Sequence, residues 1–352
     1  MANTTQITHQ NLASYRQAIA DFEEFLIAQN PINIFDTTKS NHTQSTTTKT
    51  NSHIKSIKSS PKSNIDSSIL DSTHSNFVHC KNMYPPNFHP HFLQAFWEML
   101  LNGGKRFRPN LLLAVVDGLN PMLNQNAFLP ALALECLHTY SLIHDDLPCM
   151  DNAPLRRGNP TLHTTYSETT AVLVGDGLNT YSFYLLSQTV LAPEVKIALI
   201  ENLAKNGGLE GMIIGQALDC YYENHPLDLD KLQTIHIHKT AKLIASSLTM
   251  GAIIGNAKCN LISTLESFGL DLGLFFQVRD DIIDAVQDST KAGKTTHNDN
   301  AKNSYVNLLG LQGAKEILLK LQSLLESSLD SLPQSIAENL RFLLEDFFKE
   351  IN

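Results

Sequence analysis

An all-α fold is predicted for this chain on two observations. Beyond Pro90, apolar residues recur at three- and four-residue spacings through nearly every segment, with Gly or Pro at the breaks. No stretch alternates polar and apolar residues between turn signals over the length of a strand. So many apolar helices pack best as a large single-domain bundle around a central cavity.

The elements follow in order. A first helix carries Leu12, Tyr15, Ile19, Phe22 and Leu26 on one face, and residues 1–36 belong to the domain. Residues 37–76 are dominated by Ser, Thr, Asn, Lys and His (Thr46-Thr47-Thr48, Ser59-Ser60, Ser67-Ser68). Such a segment buries too little surface to offset the entropy of ordering it, and it reads as a low-complexity, disordered insertion. The domain resumes at 77 and runs to 352. Helices are expected over 92–101, 111–119, 127–146, 165–190, 194–205, 230–250 and 261–287. The tail repeats the pattern with Ile317, Leu318, Leu321, Leu324 and Leu325, then Ile336, Leu340, Leu343, Leu344 and Phe347.

Bulk properties exclude several classes. A formal charge of −9 argues against nucleic-acid binding by net electrostatics. No run of about 18 apolar residues is present, so no membrane span is expected. The start lacks a basic n-region and an apolar h-region, so export is not expected. Cysteines 80, 136, 149, 220 and 259 are scattered, without a Cys-x-x-Cys pair. They read as reduced, mostly buried thiols of a cytoplasmic protein, and not as zinc ligands; Cys149 stands out because it lies inside an acidic cluster.

Two acidic clusters interrupt the apolar pattern. Asp280, Asp281 and Asp284 are three and four residues apart, so on a helix they share one face. Like charges at that spacing repel, and a hard divalent cation such as Mg2+, which bridges carboxylates to substrate phosphates, relieves them. Asp145, Asp146 and Asp151 form the upstream cluster. Asp145 and Asp151 would diverge on a straight helix, but Pro148 between them predicts a bend that returns Asp151. Cations stand around both clusters: Lys105, Arg106 and Arg108 after Gly103-Gly104, then Arg156-Arg157, Lys239, Lys294 and Lys302. Arg offers a fork matched to phosphate oxygens and Lys a mobile point charge. His138 lies two turns before Asp145 on the same face and is a candidate phosphate contact. The Gly-Gly-Lys-Arg run lacks the spacing of a nucleotide-binding P-loop.

Six of these segments occur in order: Gly103-Gly104-Lys105-Arg106-Phe107-Arg108-Pro109, Ser141 to Pro148 with Asp151, Arg156-Arg157-Gly158, Gly211-Met212 with Gly215-Gln216 and Asp219, His238-Lys239-Thr240, and Gln277 to Asp284. From about residue 88 onward the chain resembles the trans-isoprenyl diphosphate synthases. The resemblance implies an Mg2+-dependent prenyltransferase with three ions per site, Mn2+ being an alternative, and a homodimer acting on isoprenyl diphosphates. Asp145, Asp151 and Asp280 would hold metal, with Asp146, Asp281 and Asp284 adjoining. Arg156, Lys239, Thr240, Gln277, Lys294 and Lys302 would hold the allylic diphosphate. Gly104, Lys105, Arg108, His138 and Arg157 would form a metal-free pocket for isopentenyl diphosphate. In the family, the residues at Tyr140 and Ser141 floor the tail pocket, and a bulky Tyr140 points to a fifteen-carbon product. A geranylgeranyl diphosphate synthase is the nearest alternative, ahead of a terpene cyclase or a non-catalytic prenyltransferase subunit. Two departures stand out. Asn152-Ala153-Pro154 replaces further acidic residues, and Ala301-Lys302-Asn303-Ser304-Tyr305-Val306 stands against a family preference for Gly-Lys-x-Thr-Tyr-Pro.

Overall fold

The structure is a computed structural model that describes residues 2–30, 91–223, 225–286 and 303–349. Lys294, Lys302, Cys80 and the 37–76 segment lie outside the described residues. The chain forms two compact units, residues 1–29 with 95–352 and residues 30–94; of the second, only Asn30 and residues 91–94 are described.

The first unit is built of helices: α1 (Ala2–Ala28), α2 (Phe92–Leu101, whose first residues belong to the second unit), α3 (Phe107–Leu119), α4 (Phe128–Asp145), α5 (Leu162–Thr165), α6 (Glu168–Ser187), α7 (Pro193–Gly207) and α8 (Met212–Tyr222). It continues with α9 (Leu229–His236), a π-helical turn at Ile237–Ala241, α10 (Lys242–Ile254), α11 (Cys259–Val286), α12 (Tyr305–Ser331) and α13 (Gln334–Lys349). The predicted helical class holds, with three corrections. Two-residue strands β1 (Leu155–Arg156) and β2 (Asn159–Pro160) pair antiparallel after the first acidic cluster, too short to leave a period-two signature. The helix expected over 230–250 is broken by the π-helical turn, and α8 was not expected at all.

Helix α10 is the axis of the bundle. It is buried on nearly every side, including Leu243, Ile244, Leu248, Met250 and Ala252, as a helix apolar all round must be. It packs against α11, α3 and α7. Small residues bring it close: a side chain at Gly251 would meet the Leu112 carbonyl of α3, and one at Gly269 of α11 would meet the Ala245 backbone. Its polar groups are satisfied, with Ser246 Oγ donating to Asn202 Oδ1 at 2.7 Å and Asn202 Nδ2 to Thr249 Oγ1 at 3.0 Å.

The N- and C-terminal helices are tied to α3 through one buried carboxylate. Asp117 accepts from Ser14 Oγ at 2.6 Å, Asn124 Nδ2 at 2.8 Å and Asn339 Nδ2 at 3.1 Å. Tyr15, Phe22 and Leu26 of α1 are fully buried, as the predicted apolar face requires. Helix α11 is the one described helix long and apolar enough by composition to cross a membrane. Its packing against α10, α12 and the π-helical turn, and the three aspartates near its end, make it a core helix instead. The cysteines differ from expectation: Cys136 is buried, but Cys149, Cys220 and Cys259 are exposed, and these four are free thiols. Cys149 follows Pro148 in a surface turn and Cys220 is near the exposed end of α8, where neither is covered by a helix face.

Candidate active site

The upstream acidic cluster forms where α4 stops. The helix ends at Asp145, three residues before Pro148, which disfavours helical backbone in the residue preceding it. The chain then turns back on itself: the Asp151 amide donates to the Asp145 carbonyl at 2.9 Å, and the Ala153 amide to that of Asp146 at 3.2 Å. Asn152 completes the turn with φ 47°, the left-handed region that Asn tolerates better than most residues.

Asp145 is mostly buried and accepts from Gln216 Nε2 of α8 at 2.7 Å. Arg156, on the short hairpin, donates through Nε and Nη2 to Asp146 Oδ1 at 2.8 and 2.5 Å, and its Nη2 is 3.7 Å from Asp145. Lys239 of the π-helical turn pairs with Asp219 of α8 at 2.6 Å. Burial raises the pKa values of Asp145 and Asp146 above the ordinary carboxylate range, against the pull of Lys239 on the first and Arg156 on the second. Burial also opposes the charge on Lys239, but Asp219, Asp145 and Asp151 outweigh it and raise its pKa. Four carboxylates therefore face two cations, and Asp146 Oδ2 is buried without a hydrogen-bond partner. Among the described residues no three Asp, Glu, His or Cys side chains converge closely enough to hold a metal ion alone. That donor set suits an ion that completes its shell with substrate phosphate and water, as Mg2+ does.

Glycines hold this arrangement together. A side chain at Gly215 would overlap the backbone of His238 and Lys239, and one at Gly273 of α11 would overlap Ala241. The π-helical turn is thus pressed between α8 and α11, a geometry that recurs at functional sites. Gly273 precedes Asp280 by two turns, so the face of α11 that meets the turn also carries Asp280 and Asp284 toward it. Asp280 is half-exposed and 3.5 Å from Arg279. Asp281 Oδ2 accepts from the Tyr305 amide at 2.7 Å, capping α12 together with Ser304, whose hydroxyl accepts from the Asn307 amide. At the departure around residue 301, Ser304 thus retains the hydroxyl cap. Asn303 donates to the carbonyls of Tyr222 at 2.8 Å and His225 at 3.0 Å, fastening the loop after α8.

The basic residues gather separately. Gly103, Gly104 and Arg106 all have positive φ (88°, 101° and 45°), so the loop before α3 is tightly coiled. The buried Arg106 guanidinium binds Glu135 Oε1 at 3.1 Å, the Gly103 carbonyl at 2.8 Å and the Leu100 carbonyl. Arg157, itself at φ 55°, donates to the same Gly103 carbonyl at 3.0 Å and lies where a Gly104 side chain would stand. Arg108 Nη1 is 3.1 Å from His138 Nε2. Burial lowers the Arg108 pKa to about 10, Glu135 opposing and Arg157 adding to the shift. Burial and the surrounding arginines drive the His138 pKa well below normal, so the imidazole is neutral and accepts from Arg108. Glu135 is paired by Arg106, and the neighbouring Arg108 and Arg157 add positive charge to the same region.

A cavity of about 610 Å3 joins the two territories. Arg108, His138, Asp145, Gln216, Lys239 and Thr240 line it, and Tyr140, Ser141, Met212 and Ile213 extend it along α4 and α8. Tyr140 is buried, with its ring edge-on to His144 at 5.7 Å. Ser141 Oγ donates back to the His138 carbonyl at 2.7 Å. Gln277 lies half-buried on α11, one turn before Asp281. Sequence reasoning assigned no role to Glu135, Gln216 or Asp219, and it counted Arg106 among the cations around the acidic clusters. Glu135 belongs to none of the motifs, and Gln216 and Asp219 sit on the helix that was not expected.

Comparison with known proteins agrees with this geometry. Residues 89–338 match the polyprenyl synthetase family. The farnesyl diphosphate synthase of Geobacillus stearothermophilus is 48% identical over 222 residues, covering 61% of this chain and 74% of that protein. That of Micrococcus luteus is 43% identical over 256 residues, covering 71% and 86%. A crystal structure of a geranyltransferase from Helicobacter pylori, complexed with magnesium and isoprenyl diphosphate, superposes with a TM-score of 0.73 at 51% identity, covering 83% of this chain and all of that one. With 250 consecutive residues matched and the polar constellation assembled, the chain belongs to the polyprenyl synthetase family.

Proposed function

We propose that the chain is a prenyltransferase that condenses isopentenyl diphosphate head-to-tail with dimethylallyl or geranyl diphosphate to give farnesyl diphosphate. The observation that carries this reading is one cavity flanked by territories of opposite charge: a carboxylate-rich end at Asp145 and a buried anion site at Arg108. A metal-bridged diphosphate suits the first and a bare diphosphate the second. Relatives named farnesyl diphosphate synthase support the product.

In this reading Asp145, Asp146, Asp151, Asp280, Asp281 and Asp284 hold Mg2+, and bound Mg2+ supplies positive charge against the leaving diphosphate. Arg156, Lys239, Thr240 and Gln277, with Lys294 and Lys302, orient the allylic diphosphate and stabilise the charge that develops as its carbon–oxygen bond breaks. Gly104, Lys105, Arg108 and Arg157 place isopentenyl diphosphate, with His138 steadying Arg108. The double bond of isopentenyl diphosphate attacks the allylic cation, forming the new carbon–carbon bond, and a proton then passes to the released diphosphate. No protein nucleophile takes part. The family reading carries a homodimer with it, and α6 leaves Val172, Leu173 and Tyr184 exposed as an apolar face. The purified protein is expected to elute at twice the chain mass and to convert isopentenyl and geranyl diphosphates to a fifteen-carbon product with Mg2+ but not with excess chelator. Elongation that survives chelation would refute the metal assignment, and a monomeric active enzyme the dimer.

Product length is assigned to Tyr140. It lies five residues before Asp145, about 7.5 Å along α4, of the order of one or two isoprene units. Tyr140→Ala is expected to shift product toward twenty carbons, read by chromatography of the dephosphorylated alcohols. An unchanged distribution would show that another side chain ends the pocket.

A further inference from the structure

We propose that Phe347 of α13 is a positioning residue for Lys105, so that the C-terminal helix takes part in binding isopentenyl diphosphate. The Lys105 ammonium lies 4.6 Å from the centroid of the Phe347 ring. That ring is rigidly set: it is 9% exposed, and it stands edge-on to Phe107 at 5.3 Å and Phe276 at 4.9 Å, which meet each other at 4.7 Å. The next residue, Phe348, packs edge-on to the buried Phe275 at 5.3 Å and fixes the last turn of the helix.

Lys105 needs such a support. It follows two glycines at φ 88° and 101°, and its side chain is the most mobile of the cations in the anion site. Arg106, Arg108 and Arg157 are each held by hydrogen bonds to a carbonyl, a carboxylate or an imidazole. For Lys105 the contact at hand is the ring face, which attracts a cation and leaves ammonium protons free to donate to a phosphate. Ring and ammonium thus stay together when the substrate binds. The same ring has the Arg279 guanidinium at 5.4 Å, itself 3.5 Å from Asp280, so the C-terminal helix reaches both acidic and basic ends of the site.

This inference rests on the reading of Lys105 as a contact for isopentenyl diphosphate, and the test separates the two. Full-length Phe347→Leu, Phe347→Tyr, Lys105→Gln and the Phe347→Leu/Lys105→Gln double variant are compared. The readouts are calorimetric binding of isopentenyl diphosphate without metal, KM for each substrate, and thermal melting. Phe347→Leu is expected to weaken isopentenyl diphosphate binding about two- to fivefold, the size of a cation–π contact to an exposed ammonium, with KM for geranyl diphosphate unchanged. Phe347→Tyr restores binding because it restores the ring, and Phe347→Leu adds nothing once Lys105 is Gln. Full affinity in Phe347→Leu beside weakened binding in Lys105→Gln overturns this inference alone. Loss of affinity for both substrates in step with a lower melting temperature also overturns it, because it marks a purely structural ring. Full affinity in Lys105→Gln overturns the underlying reading of Lys105 and this inference with it.

Discussion

Asp145→Asn is expected to abolish chain elongation while melting no lower than the wild type. The two effects have one origin. The carboxylate sits at the end of α4, largely out of water, and burial pushes its pKa up, which means that its charge is borne at a cost in the free protein. Asn keeps the shape and the acceptor that Gln216 Nε2 uses at 2.7 Å, and it removes the charge that burial penalises. Lys239 retains Asp219 at 2.6 Å and Arg156 retains Asp146, so no cation is left stranded. What disappears is the anionic oxygen that would share a divalent ion with the substrate, and a loss of about a hundred- to a thousandfold in turnover follows from losing a fixed electrostatic contact of this kind. Melting curves and steady-state rates on the same preparation check both halves. Turnover within tenfold of wild type would remove Asp145 from the metal-binding set, and a marked drop in melting temperature would show that its charge supports the fold.

The acidic and basic ends of the site differ in how far their residues announced them. The downstream aspartates were legible because a 3–4 spacing on an apolar helix has one geometric meaning, and α11 runs straight through Asp280 to Asp284. Asp281 nevertheless carries a structural task, capping α12 through the Tyr305 amide, that spacing could not reveal because Tyr305 is distant in sequence. The upstream cluster was legible in outline, since Pro148 forecast a turn, but Asp151 reaches Asp145 through a backbone hydrogen bond that no side-chain pattern encodes. On the basic side the cations were visible and their partners were not. Arg106 looked like one more phosphate ligand, whereas a buried Glu135 on α4 takes its charge and turns it into the brace of the glycine loop. Periodicity identifies faces; long-range polar pairing is set by how the faces meet. Helix α8 was not among the expected helices, and its Gly215 is a point where another backbone comes close, which periodicity does not register.

That close approach yields the second large effect. Gly215→Ala is expected to destabilise the protein and to remove most of its activity, although the substitution raises helix propensity and adds one methyl group. A Cβ at residue 215 would overlap the Lys239 amide nitrogen and the carbonyl carbon of His238. Both are backbone atoms of the π-helical turn, which cannot rotate away as a side chain would. The turn is backed by Gly273 of α11, where a Cβ would overlap Ala241, so it has no room to retreat. The strain must be relieved by moving α8 outward, at a cost of about 1–3 kcal/mol for overpacking of a tight contact, well above the gain of up to about 1 kcal/mol from replacing an interior helical glycine. Moving α8 carries Gln216 off Asp145 and Asp219 off Lys239, the two links that fix the acidic end of the cavity. Elongation should therefore fall much further than stability alone accounts for, with the loss persisting at temperatures where the variant is fully folded. Denaturant unfolding beside initial rates measures the two separately. A variant as stable as the wild type and equally active would mean that α8 and the turn do not meet as closely as Gly215 allows. A variant destabilised but normally active when folded would mean that Gln216 and Asp219 are not needed to hold Asp145 and Lys239 in place.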